Sequence, residues 1–222
     1  MKVGTDGVLL GAWSPLPQGP IRVLDIGTGT GLIALMLAQR FPEAQLVGIE
    51  PDAAAFEEAQ SNVAQSPWAD RIQLEQADLK TYAALQPRHS FDVLVSNPPF
   101  YTHNHHDLNQ ARNQARSAQA LPLEALLSTA QQLLRPEGWL FVILPAEQEA
   151  AVRHIINPLG GHCWQCVQVK GQPHSPIKRQ LWGIRWRPCE APESSTLVLE
   201  LARHQRSPEY QRLTQDFYLK PV

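Results

Sequence analysis

A strand that runs into a glycine-rich turn and then straight into an apolar helix leaves a chain few architectures. Residues Ile21 to Ile26 alternate and cluster apolar side chains as a buried strand does. Gly27-Thr28-Gly29-Thr30-Gly31 follows, and Leu32 to Phe41 continues as an apolar helix. Strand, glycine loop and helix in that order form the first crossover of a nucleotide-binding α/β sheet. The glycines let the backbone turn sharply and approach a ligand closely. The spacing is G-x-G-x-G rather than the G-x-G-x-x-G of dinucleotide sites. Asp25 stands at the mouth of the loop, where a carboxylate repels a pyrophosphate. It suits a ligand that carries an ammonium and a sulfonium, which points to S-adenosylmethionine.

The rest of the chain repeats the alternation. Gln45 to Glu50 reads as a second strand with a helix from Asp52 to Gln65, and Arg71 to Gln76 as a third with a short helix around Leu79 to Leu85. Phe91 to Ser96 is a fourth strand; after a long loop, Tyr101 to Leu121, comes a helix from Leu123 to Leu134. Trp139 to Leu144 is a fifth strand, followed by a helix from Ala146 to Ile156. His162 to Val169, Gln180 to Arg187 and Thr196 to Leu201 look like strands without helices between them. Strands alternating with helices predict a parallel sheet, and successive strands without helices predict an antiparallel hairpin at its edge. The expectation is one α/β domain over residues 1–222, a doubly wound, seven-stranded, mostly parallel Rossmann-like sheet. Residues 1–20 form a turn-rich start, because of Gly4, Gly7 and Gly11, and 162–222 form edge strands and a tail.

Asn97-Pro98-Pro99-Phe100 directly follows the fourth strand, at a carboxyl end, where open α/β sheets bind their ligands. An amine conjugated to a ring is a poor nucleophile, because its lone pair is delocalised. Two acceptors aimed at its two hydrogens free that lone pair. The Asn97 side-chain oxygen and the Pro98 carbonyl can supply them, the prolines fix their aim, and Phe100 offers a face for stacking. Such transfer works by positioning and electrostatics and needs no covalent intermediate. Glu50 ends the second strand, the place of the acid that binds ribose hydroxyls, and Asp78 after the third can accept from an adenine amino group or cap the following helix.

Composition narrows the partners. Hydrophobic residues make up 43% and charged residues 18%, ordinary for a globular core. No apolar run spans a bilayer and no secretory signal precedes the first strand. Cys163, Cys166 and Cys189 read as reduced thiols of a cytoplasmic protein; one C-x-x-C without a second pair makes no zinc ribbon. The net charge of −2 does not advertise nucleic-acid binding, yet Lys170 to Arg187 holds five basic residues and no acid. Lys178 and Arg179 there, with Arg112 and Arg116 in the long loop, are the candidate phosphate contacts. His103, His105, His106 and Asp107 do not suit joint metal ligation, and none is expected. No obligate protein partner is implied.

Together, Asp25 to Gly31 and Asn97 to Phe100 resemble class I S-adenosylmethionine-dependent methyltransferases that act on exocyclic or amide nitrogens. More narrowly, Met1 to Trp13 and Tyr210 to Lys220 are similar to the bacterial valine-tRNA adenine N6-methyltransferase family, which modifies the adenine at position 37 of the anticodon loop. The resemblance covers essentially the whole chain and implies that Lys2, Thr5 and Asp6 lie near the cofactor or the target base. Family members usually carry a further segment before the Met-Lys-Val stretch, where this chain starts; in relatives it helps to cover the active site. The tetrad also fits a guanine exocyclic amine of rRNA or a protein glutamine amide, although a glutamine enzyme more usually has Tyr where this chain has Phe100, and a non-catalytic cofactor-binding module is the alternative of another class. A NAD-dependent dehydrogenase is disfavoured by both motifs.

Overall fold

The computed structural model of the chain describes residues 4–99, 121–188 and 193–218. In chain order the elements are α1 (Thr5–Trp13), β1 (Arg22–Ile26), α2 (Leu32–Arg40), β2 (Gln45–Ile49), α3 (Ala53–Ala64), β3 (Ile72–Glu75), α4 (Leu79–Leu85) and β4 (Phe91–Ser96). Then follow α5 (Leu123–Leu133), β5 (Leu134–Pro145), α6 (Glu149–Ile156), β6 (His162–Lys170), β7 (Ile177–Arg185), β8 (Glu193–Val198), β9 (Glu200–Ala202), β10 (Gln205–Arg206) and α7 (Pro208–Thr214). The main sheet runs β3-β2-β1-β4-β5-β7-β6-β8. Strands β3, β2, β1, β4 and β5 pair in parallel, as the alternation predicts. β7 lies antiparallel to both β5 and β6.

The sheet has eight strands rather than seven, and the hairpin of β6 and β7 is not its edge. β8 adds outside it, parallel to β6, from Gln165↔Glu193 to Lys170↔Val198. A small separate pair, β9 and β10, follows. β7 also begins earlier than its apolar run suggests, at Ile177, because Arg179 pairs with both Pro145 and Val169 and Ile177 with Lys170, with Lys178 at the bulge between them.

Two apolar layers sandwich the sheet. Val23, Val93, Val95, Phe141 and Ile143 face α1 and α2; Leu24, Leu94, Leu140, Val142 and Trp182 face α4, α5 and α6. The period-2 alternation along each strand produces this division. β4 is buried on both faces, with Phe91, Val93, Leu94 and Val95 all fully enclosed, and therefore reads as a continuous apolar run.

The start of the chain is where the expectation fails most. Residues 5–13 form a helix, not turns, and Gly7 through Ala12 are all buried. A helix apolar all round must be enclosed on several sides. α1 meets α2 and the sheet, while Leu213, Phe217 and Tyr218 pack against Val8, Ala12 and Met36. Its glycines serve close packing: a Cβ on Gly11 would lie 2.8 Å from Met36 Sδ, and one on Gly7 would lie 3.2 Å from Leu32 Cδ2. We expect Gly11→Val to lower stability by about 1–3 kcal/mol, as overpacking does, despite the better helix propensity of most residues over glycine. Urea unfolding that shows no loss would mean that α1 does not sit against α2 as described.

Candidate active site

β1 carries the first half of the site. Its end is tied to β2 and β4: Gly27 N and Thr28 N both donate to Ile49 O at 3.0 Å, and Ser96 Oγ donates to Ile26 O at 2.9 Å. The chain winds outward from β1 through β2 to β3 on one side, then crosses to β4 on the other. The crevice between the β1 and β4 ends is thus a topological switch point, the place where open α/β sheets take ligands.

The loop itself needs its glycines. Gly27, Gly29 and Gly31 have φ of 69°, 59° and 84°, the left-handed region that other residues rarely adopt. Glu50, just past the end of β2 and 9% exposed, braces the loop. Its Oε2 accepts from Gly29 N at 2.9 Å and its Oε1 from Asp52 N at 3.0 Å. Asn62 of α3 donates to Thr30 O at 2.9 Å. The loop is therefore held from beneath and from the side, while a Cβ on Gly27 would meet nothing within 4 Å. That open face is a cradle for a ligand.

Asp25 is not at the mouth of the loop. It lies within β1, fully buried, because the loop folds back over the strand end. Its Oδ2 accepts from Thr28 Oγ1 at 2.6 Å and from Ala34 N at 3.2 Å, which pins the start of α2. Its Oδ1 is buried without a hydrogen-bond partner. Burial raises its pKa to about 7, against the lowering effect of the Thr28 and Ala34 hydrogen bonds, and Glu50 adds to the rise. A cationic ligand nearby would favour the ionised form.

Asn97 and Pro98 leave β4 beside this loop, Asn97 half-buried and Pro98 buried. Among the described residues the Asn97 amide has no hydrogen-bond partner. Gly7 of α1 faces it: a Cβ there would come within 3.9 Å of Asn97 Nδ2. The first turn of α1, with Thr5 and Asp6, thus flanks the tetrad. Asp6 Oδ2 accepts from Arg179 Nε at 2.8 Å, so a residue expected at the cofactor and one expected at the nucleic acid form an ion pair. Exposed Lys178 lies next to it in β7. Asp78 caps α4, its Oδ1 accepting from Thr81 N at 2.7 Å and its Oδ2 from Thr81 Oγ1 at 3.1 Å; these bonds hold its pKa below the usual carboxylate range. The capping role expected of it is present, and its exposure leaves the carboxylate open to other donors.

Lys2, Phe100, Arg112, Arg116, Cys189 and the histidines 103, 105 and 106 with Asp107 lie outside the described residues. Among the described residues no group of three or more His, Cys, Asp or Glu is placed to hold a metal, and no helix is long and apolar enough to cross a membrane. Cys163 and Cys166 are buried and not joined in a disulfide. A bulge between Cys163 and Gln165 puts both in one core layer, and burial pushes the Cys166 thiol up to about 12. Gly7 is the neighbour of the site that sequence reasoning missed; an isolated glycine in a start read as turns gives no sign that a helix will bring it to Asn97.

Known proteins sharpen the picture. Residues 13–171 match the family model described as "Methyltransferase small domain". A protein of Flavobacterium psychrophilum named tRNA1(Val) (adenine(37)-N6)-methyltransferase is 43% identical over 220 residues, covering 99% of this chain and 93% of its own. A protein of the same name from Serratia proteamaculans is 42% identical over 99% of this chain and 84% of its own. Among solved structures, a predicted O-methyltransferase from Agrobacterium tumefaciens superposes with a TM-score of 0.71 at 19% identity, covering 95% of this chain and 96% of that one. A SAM-dependent methyltransferase from Aquifex aeolicus superposes with a TM-score of 0.54 at 13% identity, over 75% of this chain and 83% of that one; both likenesses concern the fold.

The buried Asp25 gives a pH test. Its folded pKa is raised above its unfolded value, so its contribution to stability is fullest below about 4 and is lost as pH rises through about 7. Asp25→Asn should flatten that part of the stability profile between about pH 4 and 7. Thermal unfolding across this range checks it; an unchanged slope in the variant would show that Asp25 is already ionised in the folded protein.

Proposed function

The chain belongs to the tRNA1(Val) (adenine(37)-N6)-methyltransferase family, and on that footing we propose that it methylates the exocyclic N6 amine of an adenine in tRNA, at position 37 of the anticodon loop of valine tRNA. The observation that carries the reading is the convergence of the glycine loop, Glu50 and Asn97 at one crevice, held in register by the Ser96 hydrogen bond to Ile26.

The crevice suits S-adenosylmethionine, which when bound supplies an electrophilic methyl group. Gly27 presents open space along the loop backbone. Glu50 spends one bond from each oxygen on the protein, and a carboxylate has about four acceptor sites, so acceptors remain for the two ribose hydroxyls. The unpartnered buried Oδ1 of Asp25 is an acceptor in need of a donor, and an ammonium or a water bound to one satisfies it. Asp78, at the end of the next crossover, accepts from an adenine amino group.

The chemistry then falls to the β4 end. Asn97 Oδ1 and the Pro98 carbonyl accept the two hydrogens of the target amine and localise its lone pair on nitrogen. Pro98 and Pro99 restrict the backbone that aims them, and Phe100 supplies an aromatic face for the base. The nitrogen, once alkylated, is a strong acid and loses its proton without a dedicated base. Gly7, lacking a side chain, leaves room beside the Asn97 amide. The base must leave its stack to reach this crevice, which is easier in a loop than in a duplex. Arg112 and Arg116, with Lys178 and Arg179 beside the site, hold phosphates of the tRNA, Arg179 by sharing its guanidinium with Asp6. Working on tRNA with reduced thiols, the protein acts in the cytoplasm.

Glu50→Ala should weaken S-adenosylmethionine binding by about 1–3 kcal/mol, because the ribose acceptors are lost and Gly29 N loses its brace. Calorimetry that returns wild-type affinity would remove Glu50 from the cofactor site. Asn97→Ala should leave the protein folded and able to bind cofactor and tRNA, yet slow the chemical step roughly 10²–10³-fold, the usual effect of deleting one preorganised hydrogen-bond partner of a reacting group. Single-turnover methylation within about threefold of wild type would defeat the role assigned to Asn97.

A further inference from the structure

Beyond the crevice, the chain carries an arm outside the main sheet, the two-stranded pair of β9 and β10. β8 continues past the end of β6, where Leu199 N donates to Lys170 O and Glu200 N to Gly171 O, each at 2.9 Å. The chain then turns back as the β9–β10 hairpin. Ser207 closes its base, with its N donating to Leu199 O at 2.9 Å and its Oγ to Val198 O at 2.5 Å, and Ser207 also caps α7 through Tyr210 N. Residues 201–206 are all exposed. At the tip are Arg203 and His204, the latter with a left-handed φ of 64°, a conformation uncommon for a residue other than glycine. At the base, Arg206 lies over the Tyr218 ring at 4.4 Å, which stiffens the arm. Arg203 makes no ion pair among the described residues.

The arm points the way the active site points. Ser96 is level with Val142, Pro145 with Arg179, Arg179 with Val169, and Lys170 with Val198. The base of the arm therefore lies about four residues beyond the level of Asn97, roughly 13 Å along the strands, and about four strand spacings to the side, roughly 19 Å. Between them are the β6–β7 turn, with exposed His174, and the start of β7, with exposed Lys178. A line of basic groups thus runs from the crevice to the hairpin tip, on a chain whose net charge is −2. Local concentration of positive charge against an acidic background marks a polyanion contact.

We infer that the β9–β10 hairpin is a second contact for tRNA, with Arg203 at its tip binding backbone phosphates of the stem that flanks the target loop. This rests on the tRNA reading above. Phosphate contacts fix register and orientation without reading sequence. With the base of the arm about 23 Å from the crevice and its tip beyond that, the contact suits that task, since it orients the stem while the target base turns into the site.

The test is salt-dependent binding of an unmodified valine tRNA transcript to the full chain, with Arg203→Glu, Arg203→Lys and, just before the amino end of β4 and so at the opposite end of the parallel strands, exposed Arg88→Glu. Arg203→Glu should weaken binding about tenfold and reduce the slope of log K against log salt by about one. Arg203→Lys should stay close to wild type. Cofactor affinity, measured on the same proteins, should not move, which shows that each variant is folded. Wild-type affinity and slope in Arg203→Glu would overturn the proposal, as would an equal loss in Arg88→Glu, which would mean diffuse attraction. Failure of the wild-type protein to bind the transcript at all would overturn the tRNA reading itself.

Discussion

The bonds across the carboxyl ends of three parallel strands are what everything else depends on. Ile49 O takes two loop N–H groups, and Ile26 O takes the Ser96 hydroxyl. These bonds align β2, β1 and β4 so that the glycine loop, Glu50 and Asn97 emerge at one level. Thr28, Ile49, Ser96 and Ile26 are buried, so breaking one of their bonds leaves an unsatisfied polar group, which costs about 1–3 kcal/mol. The arrangement is rigid because its alternatives are expensive, and rigidity is what a mechanism built on positioning requires.

Carboxylates do structural and functional duty at once. Glu50 braces the loop it is expected to help serve, Asp78 caps the helix after its strand, and Asp25 anchors the start of α2 while one of its oxygens stays unpartnered. A carboxylate has more acceptor sites than a single neighbour uses, which makes this economy possible. It also explains why a mutation at these positions will not separate binding from loop geometry by activity alone, and why affinity and stability have to be read together.

The N-terminal helix brings a third layer to the site. α1 is apolar on every side and is enclosed by α2, the sheet and the C-terminal segment of Leu213, Phe217 and Tyr218. Through Gly7 it abuts the Asn97 amide, and through Asp6 it is tied to Arg179 of β7. The partly exposed Asp6–Arg179 pair adds little stability, since such pairs contribute up to about 1 kcal/mol. Its effect is to set where the first turn of α1 sits, next to the crevice.

Much of this was legible from the amino-acid order. The parallel strands are short apolar runs followed by helical periodicity, and both motifs sit directly at strand ends, so the architecture, the switch-point crevice and the residues lining it follow from local pattern. Three things did not. The glycines of α1 read as turn formers, because only the presence of Met36 and Leu32 opposite them shows that they are contact points between helices. Asp25 reads as exposed at the loop, because only the folding of that loop over the strand end buries it. β8 and the arm that follows it carry weak, polar patterns, and their place is decided by the open edge that β6 offers. Sequence by itself determined the elements whose residues interact with near neighbours along the chain. Tertiary structure alone decided whatever depends on a partner far away in the chain, because packing space and burial are properties of the assembled core.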